Sequence, residues 1–286
     1  MKYQVGNHTS SQSRQVSQTL LPRVGRATVG GVSLDPPRAG ERRGAGARPE
    51  PGARPEAGAR RGAGERPEAG EHPLAGLIAD AAAGRFPVPD GGWRRVPPWR
   101  PGLEAVISFT GHAVFAMAPD ITDDRLASLG ADGFGGAHDP RLISALAGPE
   151  GWIDALDMLM AGRGAGRPGL PPRLVGRPDL ASHPRAGFAA RLRDAPRVLG
   201  YPDQHRSALA IVSRGMAGLT ELSFELEPGR RGQGGGAGLA ADALGAIPSG
   251  QLVVAAVAPG NAASVRALLS AGFVPLGSLQ LFRRAG

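Results

Sequence analysis

Two stretches near the C-terminus decide the fold. Residues 228–237 read Pro-Gly-Arg-Arg-Gly-Gln-Gly-Gly-Gly-Ala, and residues 261–273 read Asn-Ala-Ala-Ser-Val-Arg-Ala-Leu-Leu-Ser-Ala-Gly-Phe. The first stretch lies between an alternating, strand-like run at 219–226 and a run of small residues at 237–247 that favours a helix. A glycine-rich turn at a helix start presents successive backbone N–H groups and the positive end of the helix dipole. We therefore predict an anion-binding turn and interpret it as a cradle for a pyrophosphate.

The second stretch has the start and stop signals of a helix. Asn261 is a favourable N-cap residue, and Gly272 is typical of the position that ends a helix. Between the two stretches, the apolar run 252–257 predicts a strand, and residues 276–282 predict a last one. Strand, helix, strand, helix and strand in this order predict an α/β layered fold, with a mixed sheet covered by helices on both faces.

Together the two stretches resemble the GNAT superfamily of acyl-CoA-dependent N-acyltransferases. The family motif Gln/Arg-x-x-Gly-x-Gly/Ala is matched here by Arg231, Gly234 and Gly236. The family's Asn-x-x-Ser helix, which ends in Gly-Phe, is matched by Asn261, Ser264, Gly272 and Phe273. The resemblance covers about residues 195–286. It implies a GNAT-like fold, acetyl-CoA as the acyl donor, and a primary amine of a small molecule or protein as the acceptor.

The resemblance also implies where acetyl-CoA binds. In the family, the pantetheine arm pairs with the backbone of the strand before the glycine loop, here residues 222–227, and the pyrophosphate sits on the N–H groups of the loop. Glycines there let the backbone approach without a Cβ in the way. Asn261 either binds the pantetheine or only caps its helix. The predicted cofactor-binding residues are Leu226, Glu227, Arg231, Gly232, Gln233, Gly234, Gly235, Gly236, Ala237 and Asn261.

Carboxylates on the strand before the loop are the candidates for the general base. Glu221, Ser223 and Glu225 alternate along the chain, so a regular strand places them on one face. The family's base is often a carboxylate on this strand. We favour Glu221, which lies further from the phosphates, and keep Glu225 as the second candidate.

The general acid departs from the family pattern. Many members carry a Tyr four residues before the Gly of Gly-Phe, and this chain has Leu268 there. Ser264 or a water molecule is left to protonate the leaving thiol, unless no acid is needed. Leu268 also keeps an alternative open, in which the chain is a non-catalytic acyl-CoA-binding regulatory module.

The first 73 residues differ in kind from the rest. From residue 40 onward they repeat Gly-rich hexads such as Gly-Ala-Arg-Pro-Glu-Ala, which offer almost no apolar face to bury. Such a composition predicts a disordered tail. It carries 12 Lys and Arg against 7 Asp and Glu, out of a whole-chain net charge of +8. Because the tail alternates Arg with Glu, we do not expect nucleic-acid binding.

The remaining residues divide at a Gly/Pro/Arg-rich linker, residues 162–172. Residues 74–161 predict an N-terminal α/β lobe of unknown role, and residues 173–286 the acetyltransferase domain. Within the lobe, Trp152, Ile153, Leu156, Leu159 and Met160 are spaced to share one helical face, which predicts a helix at 151–161. Recognition of a macromolecular substrate by this lobe, with the basic tail as an anchor, stays open.

The absence of Cys excludes disulfides, thiolate metal ligands and cysteine nucleophiles. The histidines show no metal-ligand spacing, so we predict no metal site. No apolar run reaches signal-peptide or membrane-spanning length. We therefore expect a cytoplasmic protein with no membrane partner, and a homodimer stays open.

Overall fold

The computed structural model describes residues 72–285. The disordered tail predicted for residues 1–73 lies outside these residues, apart from its last two. His72 caps the first helix, where its ring nitrogen accepts from the backbone N–H of Leu74 at 3.2 Å. The described part contains these helices: α1 (Pro73–Ala82), α2 (Asp123–Ser128), α3 (Pro140–Ala147), α4 (Pro184–Leu192), α5 (Gly235–Gly245) and α6 (Ala262–Ser270).

Ten strands in the described residues form one mixed, twisted sheet. They are β1 (Trp93–Val96), β2 (Glu104–Phe109), β3 (His112–Ala116), β4 (Trp152–Arg163), β5 (Val175–Gly176), β6 (Asp194–Gly200), β7 (Leu209–Arg214), β8 (Thr220–Glu225), β9 (Leu252–Val257) and β10 (Val274–Arg283). Their spatial order is β1-β3-β2-β10-β4-β9-β8-β7-β6-β5. The pairs β1 with β3 and β8 with β9 are parallel, and the other pairs are antiparallel.

Helices cover both faces of this sheet, as the α/β layered prediction requires. On one face, α1 packs over β2 and β10, with Ile78 and Ile107 in the same core cluster, and α4 packs over β7. On the other face, α2 and α3 enclose Phe115 and Phe282, while α5 and α6 pack over β7, β8 and β9. The predicted fold class is therefore confirmed.

Strands from the two halves of the sequence alternate within one sheet. Strand β4 ends at Arg163, just inside the Gly/Pro/Arg-rich linker predicted at 162–172, yet it lies between β9 and β10, which both follow that stretch. Strand β10 in turn lies between β4 and β2. The division into an N-terminal lobe and an acetyltransferase domain stays a prediction, but its boundary falls between strands of a shared sheet.

The helix predicted at 151–161 is wrong, because these residues form strand β4. Leu159 packs on the α1 face of the sheet and Met160 on the α5 face. A strand buried on both faces reads as a continuous apolar run, and a short run of that kind is indistinguishable from a helix by spacing alone. Pairing with β9 and β10 on its two edges overrides the helical pattern.

Most of the other predicted elements are confirmed within a few residues. The strand predicted at 252–257 coincides with β9, and the helices predicted at 237–247 and from Asn261 to Gly272 correspond to α5 and α6. Strand β1 is not predicted from the sequence, where its residues lie close to several prolines. It forms because β3 offers it a parallel edge.

Candidate active site

A cavity opens where strands β8 and β9 separate. The two parallel strands pair only at Thr220 with Val253 and at Glu221 with Val254. Beyond Glu221 the chain of β8 continues to Leu226 with that edge free of any strand among the described residues. A cavity of about 630 Å³ lies at this opening, with Phe224 and Leu226 on one wall and the start of α5 and one side of α6 on the other.

The start of α5 faces this cavity with bare backbone donors. The first N–H groups of an α-helix have no partner within the helix. No side chain caps α5, and its N-cap residue Gly234 takes a left-handed conformation with φ of 79°. Gly232 is also left-handed, with φ of 77°. Both glycines line the cavity, so this end of it suits a large anion such as a pyrophosphate.

Close packing of α5 against α6 depends on Gly236. A Cβ there would lie 3.1 Å from the Cβ of Ala267 on α6. Helix α6 begins at its predicted cap, because the Asn261 side-chain oxygen accepts from the backbone N–H of Ser264 at 3.2 Å. Asn261 and Ser264 both line the larger cavity. The cap role of Asn261 is therefore present, and the residue also borders the larger cavity.

Three arginines, Arg185, Arg231 and Arg266, line the same cavity. Two of them hold Glu225, with Arg185 Nε at 2.9 Å and an Arg231 terminal nitrogen at 2.7 Å from its carboxylate oxygens. Burial raises the pKa of Glu225, but the hydrogen bond and charge of Arg185 outweigh it and leave the pKa below the ordinary value. Glu225 is therefore a firmly ionised structural partner of the arginines at neutral pH.

The predicted cofactor-binding residues divide into two groups. Glu227, Gln233 and Gly235 do not line the cavity. Glu227 pairs with Arg206 at 3.0 Å, and the Gln233 amide donates to the carbonyl of Gly229 at 3.0 Å. The residues that do line it are Leu226, Arg231, Gly232, Gly234, Gly236, Ala237 and Asn261. Sequence reasoning missed Arg185 and Arg266, whose place depends on the packing of α4 and α6.

A second, smaller cavity of about 170 Å³ lies on the opposite face of the sheet. Glu221 and Ser223 of β8 point into it, on the side of the strand away from Leu222, which packs under α5. Arg185 lines both cavities. It follows the cap of α4, where the His183 ring nitrogen accepts from its backbone N–H at 3.2 Å. Among the described residues, Arg185 alone lines both cavities.

Glu221 is held by a buried ion pair. One of its carboxylate oxygens lies 2.7 Å from a terminal nitrogen of Arg193, and the other accepts from the backbone N–H of Met216 at 3.1 Å. Arg193 also donates to the hydroxyl of Ser223 at 3.1 Å. Of the predicted catalytic residues, Glu221 lies in the smaller cavity, while Glu225 and Ser264 lie in the larger one.

Two further carboxylates line the smaller cavity, Asp154 and Asp157 of β4. Burial raises the pKa of Asp157 to about 6, helped by the negative charges of Asp154 and Glu221 and opposed by Arg193. Sequence reasoning missed both residues because it assigned this segment to a helix in a separate lobe. The only sequence signal was a pair of acidic residues inside an otherwise apolar run.

The position of the missing family tyrosine is closed off from both cavities. Leu268 is buried in the core cluster that α5 and α6 form over β9. The only tyrosine of the described residues, Tyr201, donates its hydroxyl to Asp242 at 2.9 Å. Neither residue lines either cavity.

Residues 72–285 contain no group of three or more His, Asp or Glu side chains arranged to hold a metal. No helix in the same range combines the length and apolar character needed to span a membrane.

No protein-family model matches this sequence, and no curated protein matches it either. Among solved structures, a GNAT-family acetyltransferase from Colwellia psychrerythraea is similar at a TM-score of 0.32 and 15% identity, over 50% of this chain and 60% of that one. A putative GNAT-family acetyltransferase from Novosphingobium aromaticivorans is similar at a TM-score of 0.33 and 18% identity, over 48% of this chain and 69% of that one. A conserved protein of unknown function from Staphylococcus epidermidis is similar at a TM-score of 0.34 and 13% identity, over 52% of this chain and 68% of that one. The chain thus spans less than two thirds of the Colwellia protein, and these similarities concern part of the fold.

Proposed function

We propose that this protein is an acetyl-CoA-dependent N-acetyltransferase that transfers an acetyl group to a primary amine. One observation supports this above the others: a glycine-lined cavity at an uncapped helix start and a smaller, carboxylate-lined cavity lie on the two sides of β8, and Arg185 lines both. The larger cavity suits a long anionic donor. The smaller one suits an amine that approaches from the other face of the sheet.

The pyrophosphate end of the donor would lie at the start of α5. Left-handed glycines 232 and 234 and the free N–H groups of the first turn form an anion cradle there. Arg231 and Arg266 add positive charge at the same cavity. Because the helix has no side-chain cap, an anion can take the place that a capping side chain would otherwise fill.

The pantetheine arm would follow the free edge of β8. After Glu221, the backbone of this strand has no strand partner on the side that faces α6, so its N–H and C=O groups are available to an extended ligand. The course of β8 leads from Leu226 back toward Glu221, and Arg185 borders both cavities along it. A thioester at the end of the arm would therefore reach the smaller cavity.

Transfer requires a neutral amine and two proton destinations. The amine nitrogen forms a bond to the thioester carbon, the C–S bond breaks, and the sulfur leaves as the thiol. One proton of the ammonium goes to a base before attack, and a second goes from nitrogen to the leaving sulfur. The sequence points to Glu221 as the base and to Ser264 or a water molecule as the acid. Ser264 lines the larger cavity on α6.

A non-catalytic acyl-CoA-binding module is the second candidate. The observation that favours it is Leu268, which takes the place of the acidic tyrosine of many GNAT members and is buried in the core. Such a module would bind acetyl-CoA in the same cavity without turnover.

Calorimetry with acetyl-CoA and a thiol-release assay test the proposal together. We expect binding at one site per chain and thiol release that depends on an added primary amine. Binding without amine-dependent release would favour the non-catalytic module. No detectable binding of acetyl-CoA would contradict both candidates.

A further inference from the structure

The smaller cavity is built jointly by both halves of the sequence. Residues before the Gly/Pro/Arg-rich stretch contribute Trp99, Leu103, Asp154 and Asp157, and residues after it contribute Arg193, Glu221 and the apolar side chains of β10. Both halves line this cavity because β4 carries both aspartates and lies between β9 and β10 in the sheet. The segment of unknown role therefore supplies part of the acceptor side of the proposed enzyme.

The charges in this cavity do not balance. Arg193 is paired with Glu221 at 2.7 Å, and Arg185 with Glu225 at 2.9 Å. Among the described residues, Asp154 and Asp157 form no salt bridge. Two half-buried carboxylates thus face the cavity without a salt bridge of their own, although Arg193 lies near Asp157. A buried charge without a partner is unfavourable, so a cationic ligand would be attracted here.

We propose that Asp157 is the catalytic residue that takes the proton of the acceptor, and that the acceptor is a small primary amine with an apolar body, which enters as its ammonium cation. This inference rests on the proposed acetyltransferase function. It names the acceptor class and assigns the proton transfer to a residue outside the part of the chain that resembles the GNAT family.

Asp157 is the better placed of the three carboxylates. Both oxygens of Glu221 are engaged, one by Arg193 and one by the backbone N–H of Met216. Asp154 accepts from the backbone N–H of its neighbour Ala155 at 2.9 Å. Asp157 makes no hydrogen bond through its side chain to any described residue, so its oxygens are free to accept a proton from a ligand.

The surroundings of Asp157 also suit it as a base. The charged groups that face it are Asp154 on its own strand, Glu221 on β8, and Arg193 after α4, and their balance together with burial leaves the pKa at about 6. An ordinary aspartate near 3.9 would be a weaker base by about two powers of ten. In the reaction, the ammonium gives one proton to the Asp157 carboxylate, which later releases it to solvent, and the neutral amine attacks the thioester.

The size and walls of the cavity define the acceptor. Its volume of about 170 Å³ is below the ~300–1,000 Å³ of clefts that hold drug-sized ligands. Its walls include Trp99, Phe188, Leu192 and Leu279. A short amine with a single aromatic or aliphatic group therefore fits, while a highly charged acceptor does not.

Phenethylamine and its uncharged analogue 2-phenylethanol are suitable probes. In the full chain with acetyl-CoA, we expect phenethylamine to raise the melting temperature and 2-phenylethanol to have little effect. In Asp157→Asn, the response to phenethylamine should be lost, while acetyl-CoA should bind with unchanged affinity. In the thiol-release assay, Asp157→Asn should lower kcat by ~10²–10⁴-fold and remove a step near pH 6 from the rate profile.

Asp80→Asn is the matched control. Asp80 is an exposed aspartate on α1, and its salt bridge is with Arg85 in the loop that follows this helix. The control should match the wild type in every measurement. A wild type that binds acetyl-CoA but does not respond to phenethylamine would overturn the acceptor class. An Asp157→Asn variant with the wild-type rate profile would overturn the role of Asp157. A wild type that does not bind acetyl-CoA would instead contradict the proposed function.

Discussion

Arg193 and Glu221 form a buried ion pair at 2.7 Å, with about a tenth of each side chain exposed. Arg193 follows α4, and Glu221 lies on β8 at the last residue that pairs with β9. The pair therefore ties the end of α4 to the sheet beside the smaller cavity. Arg193 is therefore the counter-ion of Glu221, the carboxylate that we favour as the base from the sequence.

We expect Glu221→Gln and Arg193→Met to move the pH step of Asp157 in opposite directions. The negative charge of Glu221 raises the pKa of Asp157, and Arg193 lowers it. The step in the rate profile should therefore shift to lower pH in Glu221→Gln and to higher pH in Arg193→Met. Initial rates of thiol release across pH, with a fixed saturating amine, measure the shift.

The sequence-based prediction has a different outcome for Glu221→Gln. If Glu221 were the base, this variant would lose ~10²–10⁴-fold in kcat, with partial recovery at high pH where more of the amine is neutral. A lost step in Glu221→Gln together with a retained step in Asp157→Asn would establish Glu221 in that role. Glu221→Gln leaves Arg193 unpaired, and Arg193→Met leaves Glu221 unpaired. For each of these two variants we therefore also expect a loss of about 3–5 kcal/mol in the free energy of unfolding.

Asp157→Asn should stabilise the fold at pH 8 and not at pH 4. A carboxyl whose pKa rises on folding, here to about 6, favours the folded state below its unfolded pKa. That contribution is lost as the pH rises through the folded value. Melting temperatures of the variant and the wild type, without ligands, should differ most at pH 8 and converge toward pH 4. An equal difference at both pH values would contradict a raised pKa.

Gly234→Val should abolish acetyl-CoA binding. Gly234 has φ of 79°, which a β-branched residue adopts only with strain, and its Cβ would enter the space in front of the helix start. Gly238→Ala is the matched control, since Gly238 lies in the same helix with open space around it and does not line the cavity. Calorimetry should show lost binding in the first variant and unchanged affinity in the second. Unchanged affinity in Gly234→Val would exclude the loop as the pyrophosphate site.

Removal of residues 1–70 should leave the melting temperature and the affinity for acetyl-CoA unchanged. The hexads of this segment carry almost no large apolar side chains, so they cannot add much buried area. The cut leaves His72, which caps α1 and contacts the carbonyl of Pro97 at 2.8 Å. A lower melting temperature of the shortened chain would show that the segment packs on the domain.

The sequence by itself determined the elements around the larger cavity. The strand before the glycine loop, the helix after it and the Asn261-capped helix are local features, encoded by alternation, small residues and capping signals. Residues 232, 234 and 236 and Asn261 line the larger cavity because they sit at the starts of those helices. Such features depend on neighbours within a few residues along the chain, which a sequence displays directly.

Only the tertiary structure decided the lining of the smaller cavity. The spacing of apolar residues in β4 predicts a helix, but the segment forms a strand because β9 and β10 pair with its two edges. Those partner strands lie about 100 residues away in the chain. This pairing buries Asp157 near Asp154, Glu221 and Arg193, and burial is the main cause of its raised pKa. Contacts over such a distance are chosen by the competition among all strands for sheet edges and buried area. No local pattern records the outcome of that competition.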